Sequence, residues 1–189
     1  NVVCSDKTGT LTQNHMTVTR VFVNMEVLDL DQIRQAPEIL FRGFLLCNDG
    51  EISGGERLGD PTELALLDLA AGAGMKKSDE EKTWERIGEL PFDSKRKMMT
   101  TLHRNNHRIV AFTKGSCDVL LEGCTHLWLN GARIPLGEGQ KKKILAAMEQ
   151  MSFGALRVLA LAFREYDPYE IEKSQKPDGR TDSSLIRED

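Results

Sequence analysis

Residues 98–116 read Met98-Met99-Thr100-Thr101-Leu102-His103-Arg104-Asn105-Asn106-His107-Arg108-Ile109-Val110-Ala111-Phe112-Thr113-Lys114-Gly115-Ser116. Two β-like runs, 98–104 and 108–114, flank Asn105-Asn106, a pair whose side chains tolerate the left-handed backbone of a tight turn. This pattern predicts an antiparallel hairpin. A third β-like run lies just upstream at 84–92. Downstream, Ser116 is placed to cap a short helix ending at Gly123. Asn130-Gly131 predicts a further hairpin between 127–129 and 132–136. Residues 141–153 set Ile144, Leu145, Met148 and Met151 on one helical face, and 158–163 is an apolar, strand-sized run.

Toward the N-terminus, Asp60-Pro61-Thr62-Glu63 has the form of a helix start: an N-cap carboxylate, Pro in the first turn, and Glu three residues on. That helix is expected to run to about Gly72. Residues 31–47 read as helix with a break at Pro37, and 17–23 as a strand. Residues 50–59 read as a Gly-rich polar loop, and 76–82 as a solvated, charged connector. Hairpins with helices grouped around them predict an α+β fold, a twisted antiparallel sheet flanked by helices.

The chain has 189 residues, of which 40% are hydrophobic and 29% charged, a globular composition rather than a disordered one. A net charge of −4 gives no bulk attraction to nucleic acid or anionic membrane. No apolar run approaches the roughly 18 residues of a membrane-spanning helix. Cys4, Cys47, Cys117 and Cys124 have no C-x-x-C spacing, and His15, His103, His107 and His126 stand singly, so neither a disulfide framework nor a metal site is expected of them. The start, Asn1-Val2-Val3-Cys4-Ser5, is a β-like run without an initiating Met or a signal peptide, which predicts a piece of a longer chain.

Asp6-Lys7-Thr8-Gly9-Thr10-Leu11-Thr12 follows that run directly. A carboxylate at a strand end, followed by Lys, Gly and hydroxyls, has the chemistry of a phosphoryl acceptor: the carboxylate attacks, Lys offsets charge, and amides and hydroxyls hold phosphoryl oxygens. The string resembles the phosphorylation signature of the P-type ATPases at every position. The resemblance implies that Asp6 is phosphorylated by ATP, with Mg²⁺ held at Asp6 and Thr8, and with Lys7 beside them. Related haloacid-dehalogenase-type phosphatases usually place an acid/base Asp where this chain has Thr8. A Thr there removes the proton-transfer group and lets an acyl phosphate persist.

The resemblance extends along most of the chain. Gly59-Asp60-Pro61-Thr62-Glu63 looks like the family's acidic motif at the nucleotide site, in which Glu63 would face the adenine amino group, although Glu63 also fits a capping box. Pro91-Phe92-Asp93-Ser94-Lys95-Arg96-Lys97-Met98-Met99 looks like the adenine-stacking segment, with Phe92 beneath the base and Lys97 at ring edge or phosphate. Read alone, Phe92 suits a core position and Lys95-Arg96-Lys97 a solvated turn. Many relatives carry Arg where this chain has Ser94, so a phosphate contact is either absent or supplied by Lys95 or Arg96. Lys114-Gly115-Ser116 resembles the family's Lys-Gly-Ala/Ser motif deep in the nucleotide pocket. It is not a Walker A loop. Leu156-Arg157-Val158-Leu159-Ala160-Leu161-Ala162 resembles the segment whose Arg157 would reach the phosphates.

The wording of the motifs is nearest the calcium-type branch, and later Mg²⁺ motifs, the actuator motif and membrane helices are not in this sequence. The resemblance implies an ATP- and ADP-binding cytoplasmic domain of an integral membrane cation pump, whose other phosphorylation, actuator and membrane domains are its partners, with no nucleic acid and as a monomer. Residues 1–20 would be the phosphorylation loop and hinge, 21–165 the nucleotide-binding domain, and 166–189 a polar tail. By itself the chain is expected to bind nucleotide but not to phosphorylate Asp6. A phosphatase of the haloacid-dehalogenase type and a non-catalytic binding module are the alternatives.

Overall fold

The computed structural model describes residues 15–106, 108–154, 156–167 and 169. Its centre is a four-stranded antiparallel sheet in the order β10-β7-β6-β5. The strands are β5 (Glu85–Asp93), β6 (Met98–Asn105), β7 (Arg108–Gly115) and β10 (Ala160–Tyr166). The hairpin expected at 98–114 is β6–β7, running in unbroken register from Met98↔Gly115 to Asn105↔Arg108, with Asn106 at φ 51° in its turn. Sheet and helices together bear out the α+β class.

On one face lies α1 (Glu38–Leu46), against which α2 (Pro61–Gly72) packs. A 3-10 turn, Leu30–Gln35, precedes α1, and the break falls at Pro37 as expected because Pro has no N–H to continue a helix. Phe41, Phe44 and Leu45 of α1 pack with Leu66, Leu67, Leu69 and Ala70 of α2. Leu46 and Cys47 reach the sheet and bury with Met99, Val110, Phe112 and Trp84. The opposite sheet face carries Leu102, Ile109 and Ala111, packed with Ile87, Leu90 and Tyr166. His103 is 1% exposed on the α1 side, with its ring 6.2 Å from Phe112. Burial, with the Arg86 charge near it, pushes His103 down to about 4.

The remaining elements are two-stranded hairpins, short helices and one longer helix. Strands β1 (Arg20–Val23) and β2 (Glu26–Asp29) form a hairpin through Asn24 and Met25, both at positive φ. The sequence reading began β1 three residues early and missed β2, whose Glu26 and Asp29 interrupt the apolar pattern. Residues 50–59 hold a second hairpin, β3 (Glu51–Ser53) with β4 (Glu56–Leu58), where a loop was expected. All six of its strand residues are exposed, so no buried face marks it in the sequence. Within the expected connector at 76–82 lies a single turn of helix, α3 (Lys77–Glu80), where Glu80 accepts from Arg42 at 2.7 Å. Then come α4 (Cys117–Gly123), the expected hairpin β8 (His126–Leu129) and β9 (Ala132–Pro135), and α5 (Glu138–Phe153). Helix α5 starts three residues before the expected position and buries no residue fully. Trp128 of β8 meets Phe163 of β10 edge-on at 5.7 Å.

Candidate functional site

One end of the sheet gathers the termini of several elements. At the start of α2, Asp60 is the N-cap, accepting from the Thr62 N–H at 2.8 Å, and Pro61 occupies the first turn, where no N–H is needed. Burial works against the Asp60 charge, but hydrogen bonds from Thr62 and the nearby charge of Arg157 outweigh it and hold the carboxyl below its usual value. With Asp60 capping, Glu63 is released for another role. Its Oε1 accepts from the Lys114 ammonium of β7 and, at 3.3 Å, from the Asp49 N–H. The Lys114 and Glu63 side chains are only 9% and 15% exposed, so this is a largely desolvated ion pair. Desolvation of two charges is offset only by close pairing, which makes each the other's requirement.

Lys114 ends in Gly115, which pairs with Met98 on one side and Ala160 on the other. A Cβ at Gly115 would stand 2.5 Å from the Lys97 carbonyl oxygen and 2.6 Å from Met98 Cβ, so only glycine permits this approach. The Ser116 N–H uses it, donating to the Lys97 carbonyl at 3.0 Å. Lys97 itself sits at φ 56°, and its N–H donates to the Asp93 carbonyl at 2.7 Å.

The turn between β5 and β6 is therefore braced at both ends. Inside it, Asp93 Oδ1 accepts from the Arg96 and Lys95 N–H groups at 2.9 Å each, and these bonds hold its carboxyl below the ordinary range. The Arg96 guanidinium donates to the Pro91 carbonyl at 2.6 Å. A register shift between Leu90 and Asp93 takes Phe92 out of the strand pairing. Phe92 is 61% exposed, which rules out the core position that composition alone would favour. Ser94, Lys95 and Lys97 are exposed in the same turn. Arg157 is exposed and precedes β10 by three residues, on the sheet end where Ala160 meets Gly115.

The structure thus brings Glu63 and Lys114 into contact and joins Lys97 to Gly115 and Ser116 through backbone. It sets Phe92 beside that junction and Arg157 near Asp60. Asp6, Lys7 and Thr8 lie outside the described residues. Among the described residues, no group of three or more His, Cys, Asp or Glu side chains is arranged to hold a metal ion. An exposed ring, a carboxylate acceptor and nearby cations suit a flat heteroaromatic ligand carrying anionic groups.

Sequence reasoning missed Asn48, Asp49 and Lys77. Asn48 is 0% exposed, and Lys77 Nζ donates to the Asn48 and Gly50 carbonyls at 2.8 and 3.0 Å. The Asn48-Asp49-Gly50 triplet does carry a turn signal. Nothing local distinguishes Lys77 from its solvated neighbours.

A family model described as P-type ATPase, cytoplasmic domain N, matches residues 38–186. Calcium-transporting ATPase 1 of Bacillus cereus is 43% identical over 174 residues, spanning 90% of this chain and 20% of the relative. Calcium-transporting ATPase 1 of Lactococcus lactis is 40% identical over 169 residues, spanning 87% and 19%. The plasma membrane-type calcium-transporting ATPase 2 of Arabidopsis thaliana is 32% identical over 182 residues, spanning 87% and 18%. The chain therefore spans about a fifth of the length of these relatives.

Proposed function

The chain belongs to the P-type ATPase family, matching its cytoplasmic domain N, and from that membership we propose that it binds ATP and ADP on behalf of a calcium-type cation pump in a membrane. The observation that carries the reading is the desolvated Lys114–Glu63 pair at the sheet end whose β5–β6 turn holds an outward-facing Phe92. Phe92 stacks beneath adenine, and the carboxylate of Glu63 accepts from the adenine amino group. Lys114 holds Glu63 in place, with Gly115 letting the Lys97 turn close over the strand end. Lys97 and Arg157 supply positive charge for the phosphates. Arg96 is engaged with the Pro91 carbonyl, so Lys95 is the side chain in this turn left to replace the cation missing at Ser94.

In the whole pump, Asp6 accepts the γ-phosphoryl group, with Lys7 and Thr8 beside it. Mg²⁺ belongs with Asp6 and Thr8 and supplies charge neutralisation when bound. The division into 1–20, 21–165 and 166–189, the monomeric state and the partnership with phosphorylation, actuator and membrane domains are parts of the same proposal.

Titration calorimetry with ATP tests it. Wild type should bind in the high-micromolar to millimolar range, about −4 to −6 kcal/mol. Phe92→Ala should lose about 1–2 kcal/mol of that, the weight of one stacking face. Undiminished binding by Phe92→Ala would remove the assignment.

A further inference from the structure

The loop after α1 is more tightly held than its composition suggests. Asn48 has no solvent exposure, and its side chain uses both its donor and its acceptor ends. Its Nδ2 donates to the Phe44 carbonyl at 3.2 Å and to the Glu63 carbonyl at 3.1 Å. Its Oδ1 accepts from the Gly50 N–H at 2.7 Å. Lys77 then reaches across from α3 to clamp the loop through the carbonyls of Asn48 and Gly50. Between those two clamped residues lies Asp49, whose N–H donates to Glu63 Oε1 and whose Oδ1 accepts from Arg86 at 2.8 Å.

We propose that Asn48 and Lys77 are positioning residues for base recognition: together they lock the 48–50 loop to the first turn of α2, so that Glu63 presents its carboxylate at one angle. The inference rests on the reading of Glu63 as the adenine acceptor. The physical argument is degrees of freedom. A Glu side chain has three rotatable bonds, and the Lys114 ammonium, a compact cation on a flexible stem, fixes distance but not direction. A second donor from a rigid backbone N–H fixes direction. That N–H is rigid only because its two neighbours are tied down by Asn48 through side-chain bonds and by Lys77 through their carbonyls. The Asn48–Glu63 bond also ties the loop to the backbone of the residue it orients. A preorganised acceptor discriminates between bases, because a mismatched base leaves a desolvated polar group unpaired.

The test compares ATP with ITP, which carries a carbonyl where adenine carries its amino group. Wild type should prefer ATP by about tenfold, the weight of a hydrogen bond to a charged acceptor. Lys77→Met keeps the aliphatic stem and removes the clamp; its ATP-to-ITP ratio should fall to about twofold. Lys77→Arg, which can again donate to two carbonyls, should restore most of the ratio. Amide exchange at Asp49 should quicken in Lys77→Met and recover in Lys77→Arg, which a general loss of stability would not do selectively. Asn48→Asp loses the amide donors and should act in the same direction if it folds. A discriminating wild type with an unchanged ratio and unchanged Asp49 exchange in Lys77→Met overturns the inference alone. A wild type that binds ATP and ITP alike overturns both the inference and the adenine reading of Glu63.

Discussion

Lys114 and Glu63 should behave as one thermodynamic unit. Replacing Lys114 by Met leaves a carboxylate of 15% exposure with, among the described residues, the Asp49 N–H as its remaining partner. Breaking a buried pair from one side costs about 3–5 kcal/mol. The partial exposure of Glu63 and its place in the first turn of α2, where negative charge is favoured by about 0.3–1 kcal/mol, put Lys114→Met near the lower end, about 3 kcal/mol. Glu63→Met strands an ammonium of 9% exposure and also removes the acceptor of Asp49. It should cost about 4 kcal/mol. The double variant removes both charges, and the two Met side chains fill similar volume. Its residual cost is the unpaired Asp49 N–H, about 1–2 kcal/mol. The coupling energy is then about 5–6 kcal/mol, the two single costs less that of the double variant. Urea unfolding of the four proteins measures it. In heat, each single variant should melt about 6–16 °C lower, at about 2–4 °C per kcal/mol for a chain of this size. Single costs that add to within about 0.5 kcal/mol in the double variant would refute the reasoning, because they would mean that the charges do not compensate one another.

Stability should also depend on pH through His103. Its folded value of about 4 lies below the ordinary 6.5, so the unfolded chain binds the extra proton first as pH falls. The contribution is fully present above pH 6.5 and is lost toward pH 4. Between pH 7.5 and 5 the loss should be on the order of 2 kcal/mol by urea unfolding, and His103→Leu should flatten that slope. Equal slopes in the two proteins would place the pH dependence elsewhere. Gly115→Ala should cost about 1–3 kcal/mol and weaken ATP binding with it, since the added methyl meets the Lys97 backbone, which has no flexible end to yield; thermal melts and calorimetry read both effects. AMP, ADP and ATP should bind within about tenfold of one another, a spread of about 1.4 kcal/mol, because the base supplies most of the recognition. A hundredfold preference for ATP over AMP in calorimetry would contradict that.

What the sequence determined by itself is what neighbouring residues decide among themselves. Asn105-Asn106 between two β-like runs is sufficient for β6–β7, and Asn130-Gly131 for β8–β9, because turn chemistry and alternation act over a few residues. Asp60-Pro61 announces α2 for the same reason, and Pro37 breaks the preceding helix by lacking an N–H. The motifs around Asp6, Glu63, Phe92, Lys114 and Arg157 named the family from residue strings alone. Tertiary structure decided everything that needed partners distant in the chain. Spacing offered Glu63 a capping box and the family motif offered it a place at the nucleotide; its ion pair appeared only when β7 delivered Lys114 to it from 51 residues away. Phe92 has the composition of a core residue, and a register shift at the edge of the sheet turned it outward. Lys77 sits in a charged run that looks solvated, yet its ammonium closes on two carbonyls of the loop at 48–50. No local pattern encodes that contact, because it depends on the stacking of α1, α2 and α3, and a lysine has the same helical spacing and hydropathy whether its end meets water or a carbonyl.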